Sequence, residues 1–414
     1  MTDMTGKRVL AAVCGLVMVW SGFAVRAEGS RVLDDEDSGE ALEELLAEDT
    51  AVWSAMTTPA EAQGLSVRAK GAVLLDQGSG TVLYEKDSRQ RLPIASVTKI
   101  MTLLLVMEAI DEGRLTWEET VTCSPKAASM GGSQIWLEPG EIMTVEELVK
   151  AAAVVSANDA CAALAEHISG TLEAFVAAMN ERAAALGMAD THFVDCSGLD
   201  DSGYSCAMDV AVMARQLMTH TAIEKYTTIW MDSLRGGKSQ LVNTNKLVRH
   251  YKGATGLKTG TTDAAGHCLA ATARRENTAF VAVVLGCDTT ADRFDGARAL
   301  LDYGFAGYTA FTPPAEQAAV PPVKVLHGQL PAVAVEADTP PSLLLKKGTE
   351  SQVTFVTEVA ADVQAPVHEG QVLGTWRVCL GDQILGEYPL RAAEEVAAVT
   401  FRWAYQLLLA ALLQ

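Results

Sequence analysis

What most constrains the fold of this chain is an arrangement of patterns: strand-like runs stand at both ends of a long helical stretch. Gly71-Ala-Val-Leu-Leu-Asp76 and Thr81-Val-Leu-Tyr-Glu85 flank Gln77-Gly78-Ser79-Gly80, which reads as a hairpin. Far downstream, residues 267–274 and 278–285 are β-rich and joined by Arg275-Glu276-Asn277, and 253–261 is a further strand candidate. Helix signals fill the space between. Pro93 stands ahead of an apolar run, 96–107, and Gly113 follows its end. Thr144-Val145-Glu146-Glu147 resembles a capping box opening a helix through Val155. Further helices are expected over 160–168, 171–186 and 209–218, with a closing helix over 291–303. Strands at both ends of a helical middle predict an α+β fold, an antiparallel sheet covered by helices.

The rest of the chain divides by composition. Lys7-Arg8, the apolar run from Val9 to Trp20 and Val25-Arg26-Ala27 have the layout of a signal peptide over 1–27. Cleavage after Ala27 would leave an exported protein. Bulky Val13 ahead of Cys14 argues against a lipid-modified cysteine. An acidic leader, 28–66, precedes a first domain over 67–310. Thr312-Pro313-Pro314 through Pro321-Pro322 mark a linker over 311–322. Short alternating runs, such as Val353-Thr-Phe-Val-Thr357 and Thr375-Trp-Arg-Val-Cys379, then predict a small all-β domain over 323–395. The tail, 396–414, is strongly apolar but shorter than the ~20 residues a membrane span requires. Trp403 and Tyr405 suit the headgroup level, so it is expected to lie on a membrane surface, with a helix packed on the β domain as the alternative.

Charge narrows the partners. A formal net charge of −20 argues against nucleic acid, whose binding needs a basic face. Beyond Cys14 the cysteines are 123, 161, 196, 206, 268, 287 and 379, an odd number with no CxxC and no Cys/His spacing suited to zinc. Cys196 and Cys206 flank a loop and are candidates for a pair. No metal or cofactor is expected.

The chemistry gathers in three short motifs that occur once each, in one order: Ser96-Val-Thr-Lys99, Ser156-Ala-Asn158 and Lys258-Thr-Gly260. At the start of a helix, residues three apart share a face, so Ser96 and Lys99 place a nucleophile beside a base. A second nearby cation, Lys258, gives Lys99 an electrostatic reason to be neutral and able to accept a proton. A serine and an asparagine at a helix junction are ordinary caps when met alone; in this company they become site candidates. The histidines show no triad-like spacing, and His267 reads as a strand side chain.

With these motifs the sequence resembles the penicillin-binding serine acyltransferases, and more narrowly the low-molecular-mass D-alanyl-D-alanine carboxypeptidases, over about residues 67–395. The wider strings Pro93-Ile-Ala-Ser-Val-Thr-Lys-Ile-Met-Thr102, Ser156-Ala-Asn-Asp-Ala-Cys161 and Gly256-Leu-Lys-Thr-Gly-Thr-Thr-Asp-Ala-Ala-Gly266 carry that likeness. It implies a β-lactamase/transpeptidase-like catalytic domain with the trailing all-β domain. It also implies removal of the terminal D-Ala from D-Ala-D-Ala stem peptides of peptidoglycan through an acyl-enzyme, with penicillins as acylating ligands. Ser96 would be the nucleophile and Lys99 its base. Ser156 would relay a proton to the leaving amine, and Asn158 would hold Lys99 and the substrate amide. Lys258 and the Thr259 hydroxyl would face the terminal carboxylate, beside Gly260. The N–H groups of Ser96 and Thr261 would form the oxyanion hole, and Arg293 stands where a carboxylate-binding arginine is expected. The enzyme would work at the outer face of the cytoplasmic membrane, in the cell wall space. Two alternatives remain. A class A β-lactamase shares the motifs but needs a deacylating Glu, and no Glu-x-x-Leu-Asn lies between Asn158 and Lys258. An inert peptidoglycan-binding scaffold would keep the fold without the chemistry.

Overall fold

The computed structural model describes residues 65–338 and 342–412. The expected signal peptide and nearly all of the acidic leader, including Cys14, lie outside the described residues. Strands β1 (Gly71–Asp76) and β2 (Val82–Lys86) form the hairpin read from the sequence, the Asp76 carboxylate accepting the Ser79 N–H at 2.6 Å inside the turn. Five helices of ten or more residues follow: α1 (Lys99–Asp111), α2 (Val145–Val154), α3 (Asn158–Ser169), α4 (Leu172–Ala185) and α5 (Ala207–Leu217). Then come β3 (Ala254–Thr262), β4 (Gly266–Arg275), β5 (Thr278–Cys287) and α6 (Thr290–Gly307). The early and late strands join in one antiparallel sheet of order β2-β1-β5-β4-β3.

Alternation along the strands divides the core in two. Val73, Leu75, Val281, Val283 and Leu285 face α1, α2, α3 and α5, while Ala72, Leu74, Phe280, Ala282 and Val284 face α6. The sheet therefore lies between helical layers, as the sequence predicts. Strand β3 ends the sheet, so its outer edge is open to whatever lies beside it.

Several local starts and stops differ from the sequence reading. The helix expected from Ser96 begins later: Ala95–Thr98 is a tight 3-10 turn, entered through Ala95 at φ +46°, and α1 starts at Lys99. The helix expected from residue 160 starts at Asn158. The expected linker 311–322 is partly folded in. Residues Tyr308–Phe311 already pair with Leu343–Lys346, and Ala318 is buried beside Trp376 in the β-domain core. That domain is all β, with a four-stranded antiparallel sheet around Trp376, Val378 and Leu390 and a second cluster around Val325, Val333 and Val396. Cys196 and Cys206 are both free thiols, so the pairing left open by the sequence is not made; six of the seven described cysteines are buried.

The last element, α7 (Phe401–Leu412), opens where Thr400 Oγ1 accepts the Trp403 N–H at 3.2 Å. None of its residues is buried, so it is not a helix packed on the β domain. Among the described residues no helix is long and apolar enough to cross a membrane.

Candidate active site

Three walls meet at Ser96. The first is the 3-10 turn that carries it. Residues three apart eclipse in such a turn, and Lys99 Nζ lies 2.8 Å from Ser96 Oγ. Lys99 is fully buried, and its amine also donates to the Ser197 carbonyl at 2.8 Å. Loss of water pushes its pKa down; the Cys161 and Cys196 thiols and the Asp195 and Asp159 carboxylates oppose this more weakly. The expected partner for Lys99 was Asn158. The structure gives that position to the Ser197 carbonyl instead.

The loop bearing Ser197 is built by Asp195. Its carboxylate accepts the N–H groups of Ser197 (2.5 Å), Gly198 and Asp200 (2.7 Å). Gly198 is needed there twice over: φ is +75°, and a Cβ would collide with the Ala95 carbonyl. Thr102 on α1 fastens the same loop by donating to the Cys196 carbonyl at 2.6 Å.

The second wall is the junction of α2 and α3. Ser156 takes φ +62°, an uncommon conformation for serine that functional sites often hold under strain. Its hydroxyl and Asn158 Oδ1 are buried and have no hydrogen-bond partner among the described residues. Asn158 is fixed from its other atoms: Nδ2 donates to the Gly131 carbonyl at 2.6 Å and its N–H to Ser133 O at 2.7 Å. Asp159, beside it, is buried and accepts the N–H groups of Ile135, Leu137 and Ala160. Burial raises its pKa against those hydrogen bonds.

The third wall is β3. Lys258 shares a face with Gly260, towards the helical layer that holds Ser96. It is buried, donates to the Thr259 carbonyl at 2.9 Å, and has its pKa driven well down, first by burial and then by Lys99. For Lys99 itself, burial is the leading cause, where the sequence had suggested the second cation. Gly260 brings β3 against the turn: a Cβ there would lie 2.7 Å from Ile94 O and 3.0 Å from Ser96 N. The N–H region of Ser96 is thereby set against β3 next to Thr261, where the oxyanion hole was expected. Thr259 donates to the Thr244 hydroxyl at 2.7 Å. Arg293, buried on α6, donates to Thr261 Oγ1 at 2.8 Å, which brings the expected arginine to the same strand. His267 is a strand residue, Nδ1 lying 3.4 Å from Thr261 Oγ1.

Sequence reasoning missed Asp195, Ser197, Gly198, Thr102, Asp159 and Thr244. Asp195-Cys-Ser-Gly is a legible side-chain turn signature, but nothing in it says where the turn docks. Among the described residues one group could offer metal ligands, Asp190, Cys206 and Asp209. Arg89 already pairs with Asp209 at 3.0 Å and Arg91 with Asp190 at 3.0 Å, so arginines supply the cations there.

Residues 56–289 match the family described as D-alanyl-D-alanine carboxypeptidase, and 308–398 match the C-terminal domain of penicillin-binding protein 5. The chain is 42% identical over 342 residues to the D-alanyl-D-alanine carboxypeptidase DacF of Bacillus subtilis, covering 81% of this chain and 88% of that protein. It is 32% identical to DacC of Escherichia coli over 80% of this chain and 85% of the relative. Among solved structures, penicillin binding protein 5 from Haemophilus influenzae superposes with a TM-score of 0.72 at 29% identity, over 81% of this chain and 99% of that one. Penicillin-binding protein D2 from Listeria monocytogenes, in its ampicillin-bound form, does so with a TM-score of 0.54 at 32% identity, over 59% of this chain and all of that one, 100%.

Proposed function

The chain belongs to the D-alanyl-D-alanine carboxypeptidase family, and from that premise we propose how its residues divide the work of releasing D-Ala from peptidoglycan stem peptides. Ser96 Oγ attacks the carbonyl carbon between the two D-Ala residues, and its proton passes to the neutral amine of Lys99. The oxygen of the tetrahedral intermediate is held by the N–H groups of Ser96 and Thr261; one such donor is typically worth about 10²–10³ in rate. The C–N bond then breaks. The leaving amine takes a proton through the Ser156 hydroxyl, and free D-Ala departs with its carboxylate facing Lys258, Thr259 and Arg293. Asn158 Oδ1 accepts an amide N–H of the substrate. Water, deprotonated by Lys99, attacks the Ser96 ester and releases the shortened stem. A penicillin follows the same first step and stays on Ser96.

The observation that carries this reading is the buried amine of Lys99 at 2.8 Å from Ser96 Oγ. The two carboxylates that bear on Lys99, Asp195 and Asp159, are both taken up by backbone N–H groups. Neither is placed as the deacylating base a class A β-lactamase needs. The test is Ser96→Ala, measured for D-Ala release from a stem pentapeptide and for labelling by fluorescent penicillin. Both should be abolished together; a protein still labelled would place the nucleophile elsewhere.

We place the enzyme outside the cell, at the outer membrane face. The basic and apolar segments of 1–27 support export. The exposed α7 supports attachment: Phe401, Tyr405, Leu408 and Leu412 follow one another at helical spacing, at 88%, 55%, 61% and 73% exposure.

A further inference from the structure

Trp136 leaves 64% of its surface open to solvent, and its backbone sits at φ +57°, a region that bulky residues avoid. The chain holds it there from both sides. Asp159 accepts the N–H groups of the two neighbours, Ile135 at 3.1 Å and Leu137 at 3.0 Å. Arg235, anchored on Glu141 at 2.8 Å, donates to Ile135 O at 2.8 Å and Trp136 O at 3.4 Å. Ile135 and Leu137 turn inward and are buried, so neither chain neighbour shares the exposed face with the indole. A conformation maintained by two charged side chains, for the sake of an exposed aromatic, asks for a ligand rather than a packing reason.

The loop is also part of the site. Three residues before Trp136, Ser133 accepts the Asn158 N–H, and three extended residues span roughly 10 Å, which keeps the backbone of Trp136 close to Asn158. On the reading given above, the stem peptide enters past Asn158 and leads back to a glycan strand. The residues between the cut and the glycan, about four in a pentapeptide stem, span roughly 13 Å when extended. A sugar ring thus falls within reach of the rim.

We propose that Trp136 is a stacking platform for a pyranose ring of the glycan that carries the stem peptide. An apolar peptide side chain would want a pocket with walls, and Ile135 and Leu137 offer none because they point inward. A pyranose has a flat C–H face with hydroxyls around it. It fits a lone indole bordered by polar residues, here Ser133, Gln134 and Glu138.

The test compares D-Ala release from a free pentapeptide and from the same peptide on its N-acetylated disaccharide, using the full chain, Trp136→Ala and Trp136→Phe. The wild type should prefer the glycan-linked substrate. In Trp136→Ala the ratio of kcat/KM, linked over free, should fall about tenfold through KM, and Phe should restore most of it. A stem-free N-acetylated oligosaccharide, titrated against the indole N–H resonances, should shift one signal that is absent in Trp136→Ala. An unchanged ratio, an equal loss on both substrates, or no shifted indole would overturn the platform. If neither substrate releases D-Ala, the carboxypeptidase reading fails, and the oligosaccharide titration alone decides the role of Trp136.

Discussion

At Lys99 the fold exchanges a solvated ammonium for an enclosed amine, and the consequence is a pH dependence with a definite sign. Burial lowers the folded pKa, so the folded chain gives up this proton at a pH where the unfolded chain still holds it. Stability from this group is fully present above about 10.4 and is lost as pH falls through the lowered folded value. Acylation by penicillin should rise with pH through that same lowered value, below the ordinary lysine range, in a stopped-flow pH series. Lys99→Arg should lose about 10²–10⁴ in acylation rate, because Arg keeps its proton at working pH; a variant that still acylates freely would require another base. The side chains proposed for catalysis were legible because acyl transfer restricts residue type at short spacing. Ser197 was not, since it acts through its carbonyl, which every residue type carries, and it lies 98 positions from Lys99 in the chain. The cause assigned to the lysine shift needed depth: only packing reveals that burial outweighs a neighbouring charge.

At the level of elements, α2 opens with a complete capping box. Thr144 Oγ1 accepts the Glu147 N–H at 3.2 Å, and the Glu147 carboxylate accepts the Thr144 N–H at 3.0 Å. Thr144→Ala should lower unfolding stability by about 1 kcal/mol, read as a reduced urea midpoint at constant slope, with penicillin labelling retained. This box, the β1–β2 hairpin and the helical middle were legible because caps, turns and apolar period are local. The start of α1 was not: the 3-10 turn ahead of it sets the Ala95 carbonyl against Gly198, a contact made across the fold. The linker was misjudged for a similar reason. Proline content marks a chain that cannot continue a helix, but Ala318 is drawn into the β-domain core by Trp376.

Over the whole molecule, the catalytic domain and α7 are separated by the β domain, whose last described backbone contact to the tail is Val399 N–H to His327 O at 2.8 Å. Ending the chain after Val399 should therefore leave D-Ala release from a small peptide unchanged while abolishing sedimentation with lipid vesicles. Several leucines at ~1.5–3 kcal/mol each would otherwise hold it. Unfolding of the shortened protein would instead make α7 structural. Another whole-molecule property lies in the thiols. Burial pushes Cys123, Cys161, Cys206 and Cys268 up to about 11 and Cys287 to about 12, so their nucleophilic forms are scarce while the core is closed. Once the chain opens, those sulfurs regain ordinary acidity together, with no disulfide among the described residues to guide their pairing. In an oxidising medium each excursion is then a chance of mismatched cross-linking, and return becomes a race against it. For a chain exported as proposed, the working lifetime would be set by how seldom it opens, a barrier height rather than an equilibrium constant.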